Sequence, residues 1–358
     1  MNYKITFNNK SAPFMAALNE KVNTYFSGNQ IAKTGNWKIF TKSLVLFPTH
    51  IALYVLMVSL HLGFVYNLVA AILLGFTSAL IGFNAMHDGS HGSYSKNKTV
   101  NLLMGYSLNL LGGEAYFWRT KHNVLHHTYT NISGLDDDIE KHPLFRFCEQ
   151  QERRWFHRFQ HVYWIFLYPL SSIFWIYIAD YKKYFSGKII GEYKYPKMNI
   201  AEHITFWITK IANILLFIVL PIYTIGLMPA LVCFFTMHFV LSVTLTIVFQ
   251  LAHAVERTSF GSIEEGNIEK EWAVHQIETT ADFAPKSKLL AWLLGGLNFQ
   301  VEHHLFPKIS HVHYPALNKF IKETCLQFNI TYIENKTFFG AFCSHILYLK
   351  KLGTNQIV

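Results

Sequence analysis

Three short stretches carry histidines at spacings that suit metal chemistry: His87-Asp88-Gly89-Ser90-His91, His122-Asn123-Val124-Leu125-His126-His127, and Gln300-Val301-Glu302-His303-His304-Leu305-Phe306-Pro307. Residues four apart on a helix project from one face, so His87 with His91, and His122 with His126, can reach metal atoms together. The adjacent pairs His126-His127 and His303-His304 enlarge the donor set. A lone HxxxH is weak, and its bland alternative is two polar residues at a helix end. Yet 19 histidines scattered at random would seldom put seven into three such groups beside apolar blocks. His253, in Gln250-Leu251-Ala252-His253-Ala254-Val255-Glu256, is the eighth candidate because it also follows an apolar block directly; alone, it would more often be an interfacial histidine. The others, including His50, His61, His157, His161, His238, His275, His311 and His313, lack such grouping and read as structural or surface residues.

Ligand count bears on the metal. Catalytic zinc usually takes three protein ligands and keeps a water, and no HExxH signature is present, so eight imidazoles exceed one zinc site and imply two metals. All-nitrogen coordination suits iron, copper or zinc; a pair of redox-active irons gives a membrane-embedded site work to do, and composition leaves copper open. Metal-bound imidazoles usually donate their other N–H to a carboxylate or carbonyl. Asp88, Asp136, Asp138, Glu256, Asp282 and Glu302 lie near enough in sequence to serve, though each could equally be a solvated loop acid. Asn298 and Gln300 are neutral and could hydrogen-bond a ligand or a metal-bound water.

The elements that must position these residues are apolar. Of 358 residues 51% are hydrophobic and only 15% charged, the balance of a membrane protein rather than of several soluble domains. From Ser43 to Met86 there is no Asp, Glu, Lys or Arg. As one helix this block would be about 66 Å long, roughly twice a bilayer's hydrocarbon core, so it must fold back, with the turn near His61-Leu62-Gly63. A second uncharged block, Ile211 to Ala252, breaks at Gly226-Leu227-Met228-Pro229 and reads as another hairpin. A third run, Phe159 to Ala179, has basic residues on both flanks: Arg153, Arg154 and Arg158 before it, Lys182, Lys183, Lys188, Lys194 and Lys197 after it. Under the positive-inside rule both flanks are cytoplasmic, so this run lies in the interface or against the protein and all three histidine groups share one side. Asn101 to Phe117 reads as a partly embedded connector.

The expectation is an all-α integral membrane protein: four transmembrane helices in two hairpins (43–62, 64–86, 211–226, 229–252), interfacial helices including 159–179, and a cytoplasmic helical cap holding a dimetal site. Residues 1–42 form a cytoplasmic N-terminal segment without a signal-peptide pattern, 43–307 the catalytic unit and 308–358 a cytoplasmic tail. Four scattered cysteines, Cys148, Cys233, Cys325 and Cys343, suggest neither a zinc ribbon nor a disulfide framework. The formal charge of +9 points to lipid headgroups or an acidic protein partner; no nucleic-acid-binding signature competes.

At this point the three boxes resemble those of the membrane-bound fatty acid desaturases, from about Leu44 through Pro307. The flanking segments Trp118-Arg119-Thr120-Lys121-His122-Asn123 and Gly295-Gly296-Leu297-Asn298-Phe299-Gln300 reinforce the similarity. Gln300, where many desaturases carry a box-opening histidine, looks like the front-end and related acyl-lipid or acyl-CoA (linoleoyl-CoA-like) enzymes. The resemblance implies a diiron centre that activates O₂ and removes two hydrogens from adjacent methylenes of a long acyl chain, with two external electrons per turnover. Its iron ligands would be His87, His91, His122, His126, His127, His253, His303 and His304, with Gln300 near the metals. Many front-end enzymes carry a fused haem domain with a His-Pro-Gly-Gly motif, absent from this sequence, so electrons are expected from a separate ferredoxin or cytochrome.

Two other functions share features with this one. A hydroxylase, ketolase or sphingolipid-modifying oxygenase would use the same metal chemistry up to C–H abstraction. A histidine-rich metal transporter should place its ligands within the spans, whereas the box histidines lie outside the uncharged blocks. The aromatic run Tyr163 to Tyr168 could line an acyl slot, but reads first as packing or an interfacial belt.

Overall fold

A computed structural model describes residues 5–60, 63–141, 143–262 and 266–356. Its helices are α1 Pro13–Gly28, α2 Trp37–Ser59, α3 Phe64–His91, α4 Lys98–Leu110, α5 Ala115–Arg119, α6 Trp155–Ser186, α7 Ile200–Ile225, α8 Leu227–His253, α9 Trp272–Glu278, α10 Lys288–Leu293, α11 Gln300–Leu305, α12 Tyr314–Gln327 and α13 Phe338–Thr354. Strands are minimal. β1 Ile132–Ser133 pairs in parallel with β4 Gly261–Ser262, β2 Lys188–Ile190 pairs antiparallel with β3 Tyr193–Lys194, and β5 Asp282–Phe283 pairs in parallel with β6 Glu334–Asn335.

Five helices, α2, α3, α6, α7 and α8, are long and apolar enough to cross a membrane, as an integral membrane protein requires. The expected turn at His61-Leu62 lies outside the described residues. The second turn is where the sequence puts it: Gly226 has φ +87, a left-handed geometry that a side chain would oppose, and it separates α7 from α8. Two spans start earlier than the uncharged blocks suggest, because caps rather than charge set their first turns. Asn36 accepts the Lys38 N–H and opens α2 at Trp37. Asn199 and Glu202 form a reciprocal capping box that opens α7 at Ile200. Lys210, which sequence reading leaves outside the span, is buried within α7; its ammonium meets Asp180 Oδ2 at 2.6 Å and the carbonyls of Gly112 and Ile176 at 2.7 and 3.0 Å.

The membrane layer packs through small residues. Ala70, Ala71 and Leu74 of α3 share a buried cluster with Met57 and Val58 of α2 and Cys233 and Met237 of α8. Close approach of this kind is how apolar helices gain contact where lipid competes equally for apolar surface. A second layer covers the helix ends: Phe14, Leu18 and Val22 of α1 pack with Ile277 of α9, Val301 and Leu305 of α11, and Leu317 and Ile321 of α12.

The third uncharged run, Phe159 to Ala179, lies within α6, broken by a 3₁₀ turn at Tyr168–Leu170 and a π turn at Trp175–Ala179. Tyr168 meets His345 Nε2 at 2.9 Å, and His345 Nδ1 meets the Ala254 carbonyl at 2.7 Å, next to His253. Between its ends, Ser172 bonds His238 and Ser242 of α8. At the far end Lys183 reaches Asp137, which also pairs with Lys121. Tyr163, Trp164 and Tyr168 pack with Phe145 and Phe147, while Phe166 faces outward, as packing and belt residues do.

Candidate metal centre

The first box is the end of α3, carried straight out of the apolar layer. One turn before it, Gly82–Met86 widens into a π turn, a local irregularity that needs outside support. Lys42 Nζ donates to Asn84 Oδ1 at 2.6 Å and to the Trp292 carbonyl at 2.5 Å, while Asn84 Nδ2 donates to the Leu80 and Leu293 carbonyls at 2.8 Å each. A Cβ at Gly295 would collide with the Phe83 carbonyl, so the glycine lets the loop before the third box seat directly on this turn.

The second box departs from the expected α-helical spacing. Thr120–His126 is π-helical, and the His127 N–H donates to the His122 carbonyl, five residues back, at 3.1 Å. His127 Nε2 therefore comes within 3.3 Å of His122 Nε2, and the His126 ring stands 4.8 Å from that of His253 and 4.9 Å from that of His304. The i,i+4 pairing of His122 with His126 is kept, with their rings stacked at 5.1 Å, and the π-helical turn adds an i,i+5 pairing of His122 with His127.

Eight histidines from four remote stretches meet here. His87, His91, His122 and His303 offer nitrogens all within 4.8 Å of one another; His126, His253 and His304 form a second such set, and His127 shares a third with His303 and His304. All are buried except His91, which is partly so. Among the described residues, His91 Nε2, His126 Nε2, His127 Nδ1, His253 Nε2, His303 Nε2, His304 Nε2 and both nitrogens of His87 have no hydrogen-bond partner. Each such orphan costs about 1–3 kcal/mol in a dry core, so a cluster of them fits a metal donor set and not ordinary packing.

The opposite ring nitrogens are held. His126 Nδ1 meets Asp136 Oδ2 at 3.0 Å, His304 Nδ1 meets Gln276 Oε1 at 2.8 Å, His303 Nδ1 meets the Tyr314 hydroxyl at 3.1 Å, and His253 Nδ1 meets the Thr279 carbonyl at 3.4 Å. Holding Nδ1 leaves Nε2 as the donor in all four rings. Burial keeps His122, His127, His303 and His304 far below the ordinary imidazole pKa, in the neutral form that binds metal. At His126 burial pulls the same way, but the Asp136 and Asp138 carboxylates outweigh it and raise the pKa.

With this geometry in place, the family model described as fatty acid desaturase is found to match residues 62–336. The chain belongs to the fatty acid desaturase family. It is 35% identical over 354 residues to an sn-1 linoleoyl-lipid 6-desaturase of Arthrospira platensis, covering 98% of this chain and 95% of that one. A protein of the same description from Synechocystis sp. is 32% identical, with 98% of each chain covered. An acyl-lipid (8-3)-desaturase of Physcomitrium patens is 35% identical over 96% of this chain and 72% of its own. The protein is thus a fatty acid desaturase, an oxidoreductase; these relatives favour neither another oxygenase nor a transporter.

Not every acid expected behind the desaturase's histidines faces one. Asp136 and Asp138 do, the latter at 3.6 Å from His126 Nδ1 while paired with Lys121 at 2.6 Å. Asp88 instead accepts from Ser310 Oγ at 2.7 Å and the His311 N–H at 3.3 Å, tying the first box to the segment after the third. Asp282 accepts the Val301 N–H at 3.1 Å and shares Tyr332 and Asn318 with Glu302, bracing the third box from behind. Glu256 faces away and pairs with Lys351 at 2.6 Å. Sequence proximity misleads here because a side chain next to a ligand on a helix points to a different face. Gln300 and Asn298 are fully buried, with Gln300 Nε2 and Asn298 Oδ1 unpartnered among the described residues.

Several residues that hold the site escaped sequence reasoning. Asn131, at φ +58, donates through one amide to the carbonyls of His253, Thr279 and Ser259 at 3.0, 3.1 and 3.2 Å, stapling the second box to the end of α8. Gln276, Tyr314 and Thr279 set ring orientations from elements far from their partners in sequence. Nothing in spacing or composition marks them; Asn131 alone sits where a turn signal could have drawn notice.

Proposed function

We propose that this desaturase acts on an acyl chain carried by a membrane lipid and inserts a cis double bond between an existing one and the carboxyl end. The observation that carries the chemistry is the convergence of eight buried histidines into adjoining donor sets. The substrate class is supported by relatives named linoleoyl-lipid 6-desaturase that align over nearly the whole of both chains, and by Gln300 at the opening of the third box. A hydrogen leaves each of two adjacent methylenes, and O₂, two external electrons and two protons complete the balance as water.

The donor sets would hold two irons: one through His87, His91, His122 and His303, the other through His126, His253 and His304, with His127 beside both. When bound, they supply the activation of O₂. The chain itself supplies neutral donors, fixes their orientation through Asp136, Gln276, Tyr314 and the Thr279 carbonyl, and keeps Gln300 and Asn298 within the buried layer. Each CH₂ taken out of water contributes about 0.8 kcal/mol, so an acyl chain reaches such a centre from the bilayer through apolar surroundings. Electrons come from a separate acidic donor, a ferredoxin or cytochrome, attracted to a protein of formal charge +9.

We assign four spans, α2, α3, the later part of α7, and α8, with α6 dipping into the layer and returning. Two points along it support this, since Tyr168, near its middle, connects through His345 to Ala254 beside His253, and Lys183, near its C-terminal end, connects to Asp137 beside Asp136. A straight crossing would part these two points by about 22 Å along the helix axis. Basic residues on both flanks of α6 support a metal centre on the cytoplasmic face. Within this scheme 43–307 is the catalytic unit, and 1–42 and 308–358 wrap it.

Expression in a host fed defined fatty acids tests the proposal. A new double bond on the carboxyl side of an existing one, with about two tightly held irons per chain, is the expected result. A hydroxylated chain, or loosely exchanging zinc, overturns it.

A further inference from the structure

Sequence reading leaves the C-terminal segment as a cytoplasmic tail, but α13 does not hang free of the membrane layer. It runs antiparallel along the first half of α6. Gln160 Nε2 donates to the Leu349 carbonyl at 2.8 Å, Arg153 Nε to the Gly353 carbonyl at 2.8 Å, and the Phe342 ring stands edge-on to Trp164 at 5.5 Å. Gly353 has no room for a Cβ against the His157 carbonyl, so the two helices touch backbone to backbone at that end.

The pair also sits at a defined depth. His345 of α13 holds the Ala254 carbonyl, and Ser344 Oγ accepts the Glu256 N–H at 3.0 Å, which puts the middle of the helix level with the end of α8. Ala341 and Phe342 share a buried cluster with Leu241, Leu245 and Val248 of α8. Those residues lie about 8 to 18 Å back along α8 from His253, inside the apolar span.

The outward face of this pair is apolar. Phe339 is 72% exposed, with Cys343, Ile346 and Leu347 following on the same side of α13; on α6, Trp155 is 72% and Phe166 71% exposed. Cations edge it: Arg158 lies 4.7 Å from the Phe159 ring centre, and Lys350 is exposed at the last turn of α13. Aromatic side chains ringed by Arg and Lys, continuous with a spanning helix, have the chemistry of the headgroup boundary.

We infer that α13 and the first half of α6 form one membrane-surface element whose Trp155, Phe166, Phe339 and Leu347 face enters the leaflet beside the metal centre, with Arg158 and Lys350 on anionic headgroups. The inference rests on the membrane placement proposed above. It gives the C-terminal helix a role: the helix that grips the backbone just after His253 is itself held by lipid.

Cys343 offers a native probe, since Cys148, Cys233 and Cys325 are buried. The full chain would be labelled there with bimane in nanodiscs of phosphatidylcholine with or without phosphatidylglycerol, and challenged with a doxyl lipid labelled near the headgroup or with aqueous iodide. A Leu326→Cys probe, in a Cys343→Ser background, serves as the aqueous reference, because Leu326 is 85% exposed on α12. The doxyl lipid should quench Cys343 several-fold more than iodide does, and the order should reverse at position 326. Arg158→Gln with Lys350→Gln should abolish any deepening caused by phosphatidylglycerol while leaving doxyl quenching in place. Iodide quenching at Cys343 equal to that at position 326 overturns the inference, as does shielding from both quenchers, the sign of a protein partner. Quenching does not depend on turnover, so failure of the proposed reaction would leave this result standing.

Discussion

At the level of single residues, four of the imidazoles, His126, His253, His303 and His304, have their second nitrogen already committed. Removing a donor and removing its support should therefore differ in degree. His126→Ala or His303→Ala should abolish product formation while the protein remains in the membrane, measured by fatty-acid profiling beside immunodetection; activity surviving either change removes that residue from the ligand set. Asp136→Asn keeps the ligand but loosens its orientation, and such outer partners typically change metal affinity by about 10–100-fold, which chelator competition would read. Asp282 belongs to a different class of acid. Burial raises its pKa to about 6. Folded, it keeps a proton that the unfolded chain, titrating near 3.9, has released, so its contribution is complete below the unfolded value and is lost as pH rises through about 6. Thermal melts of the detergent-solubilised protein from pH 4 to 7 should show wild type losing stability relative to Asp282→Asn, which stays neutral throughout. A constant difference between the two would mean that Asp282 is ionised in the fold.

At the level of elements, the boxes are brought into register by irregular backbone and the polar groups that satisfy it. The π turn at Gly82–Met86 rests on Lys42, Asn84 and the Trp292 and Leu293 carbonyls, and the π-helical second box is stapled to α8 by Asn131. Asn84→Leu leaves a buried ammonium with one partner fewer. A hydrogen bond to a charged group is worth about 1.5–3 kcal/mol, so a fall in melting temperature and in retained iron is expected. Asn131→Leu should be milder in stability but should loosen His253, lowering iron content more than it lowers the melting temperature. Equal iron content in wild type and Asn131→Leu would show that the staple does not position a ligand.

For the whole molecule, the fold places chemistry at a boundary: apolar helices beneath, a helical layer above, and the histidines between them. Because the proposed ligands come from α3, the second box, α8 and α11, metal binding would constrain the global structure. A ligand that binds only the folded state stabilises it by mass action, so stripping iron with a membrane-permeant chelator should lower the melting temperature, and restoring ferrous iron should raise it again. An unchanged melt would place the iron outside the folded core. The four-span arrangement predicts that a tag inserted between α6 and α7, near Glu192, is accessible from the same side as the N-terminus. Opposite accessibility would make α6 a fifth span.

The histidine boxes, the apolar blocks and the breaks at Gly63 and Gly226 are legible in the sequence because metal binding, bilayer thickness and turn geometry each demand particular residue types at short range. That is why the chain's family and the eight histidines could be named before any coordinates. Which nitrogens face which was decided only by the tertiary structure. The π-helical second box adds an i,i+5 pair to its i,i+4 pair, and ring orientation depends on Gln276, Tyr314, Thr279 and Asn131, which lie outside the boxes. Asp88, next to His87 on α3, leaves the helix in another direction and holds the Ser310 hydroxyl and the His311 N–H, while Asp282, on β5, holds the Val301 N–H. Local patterns carry residue type and period; orientation belongs to contacts between segments far apart in the chain, which only the packed fold contains.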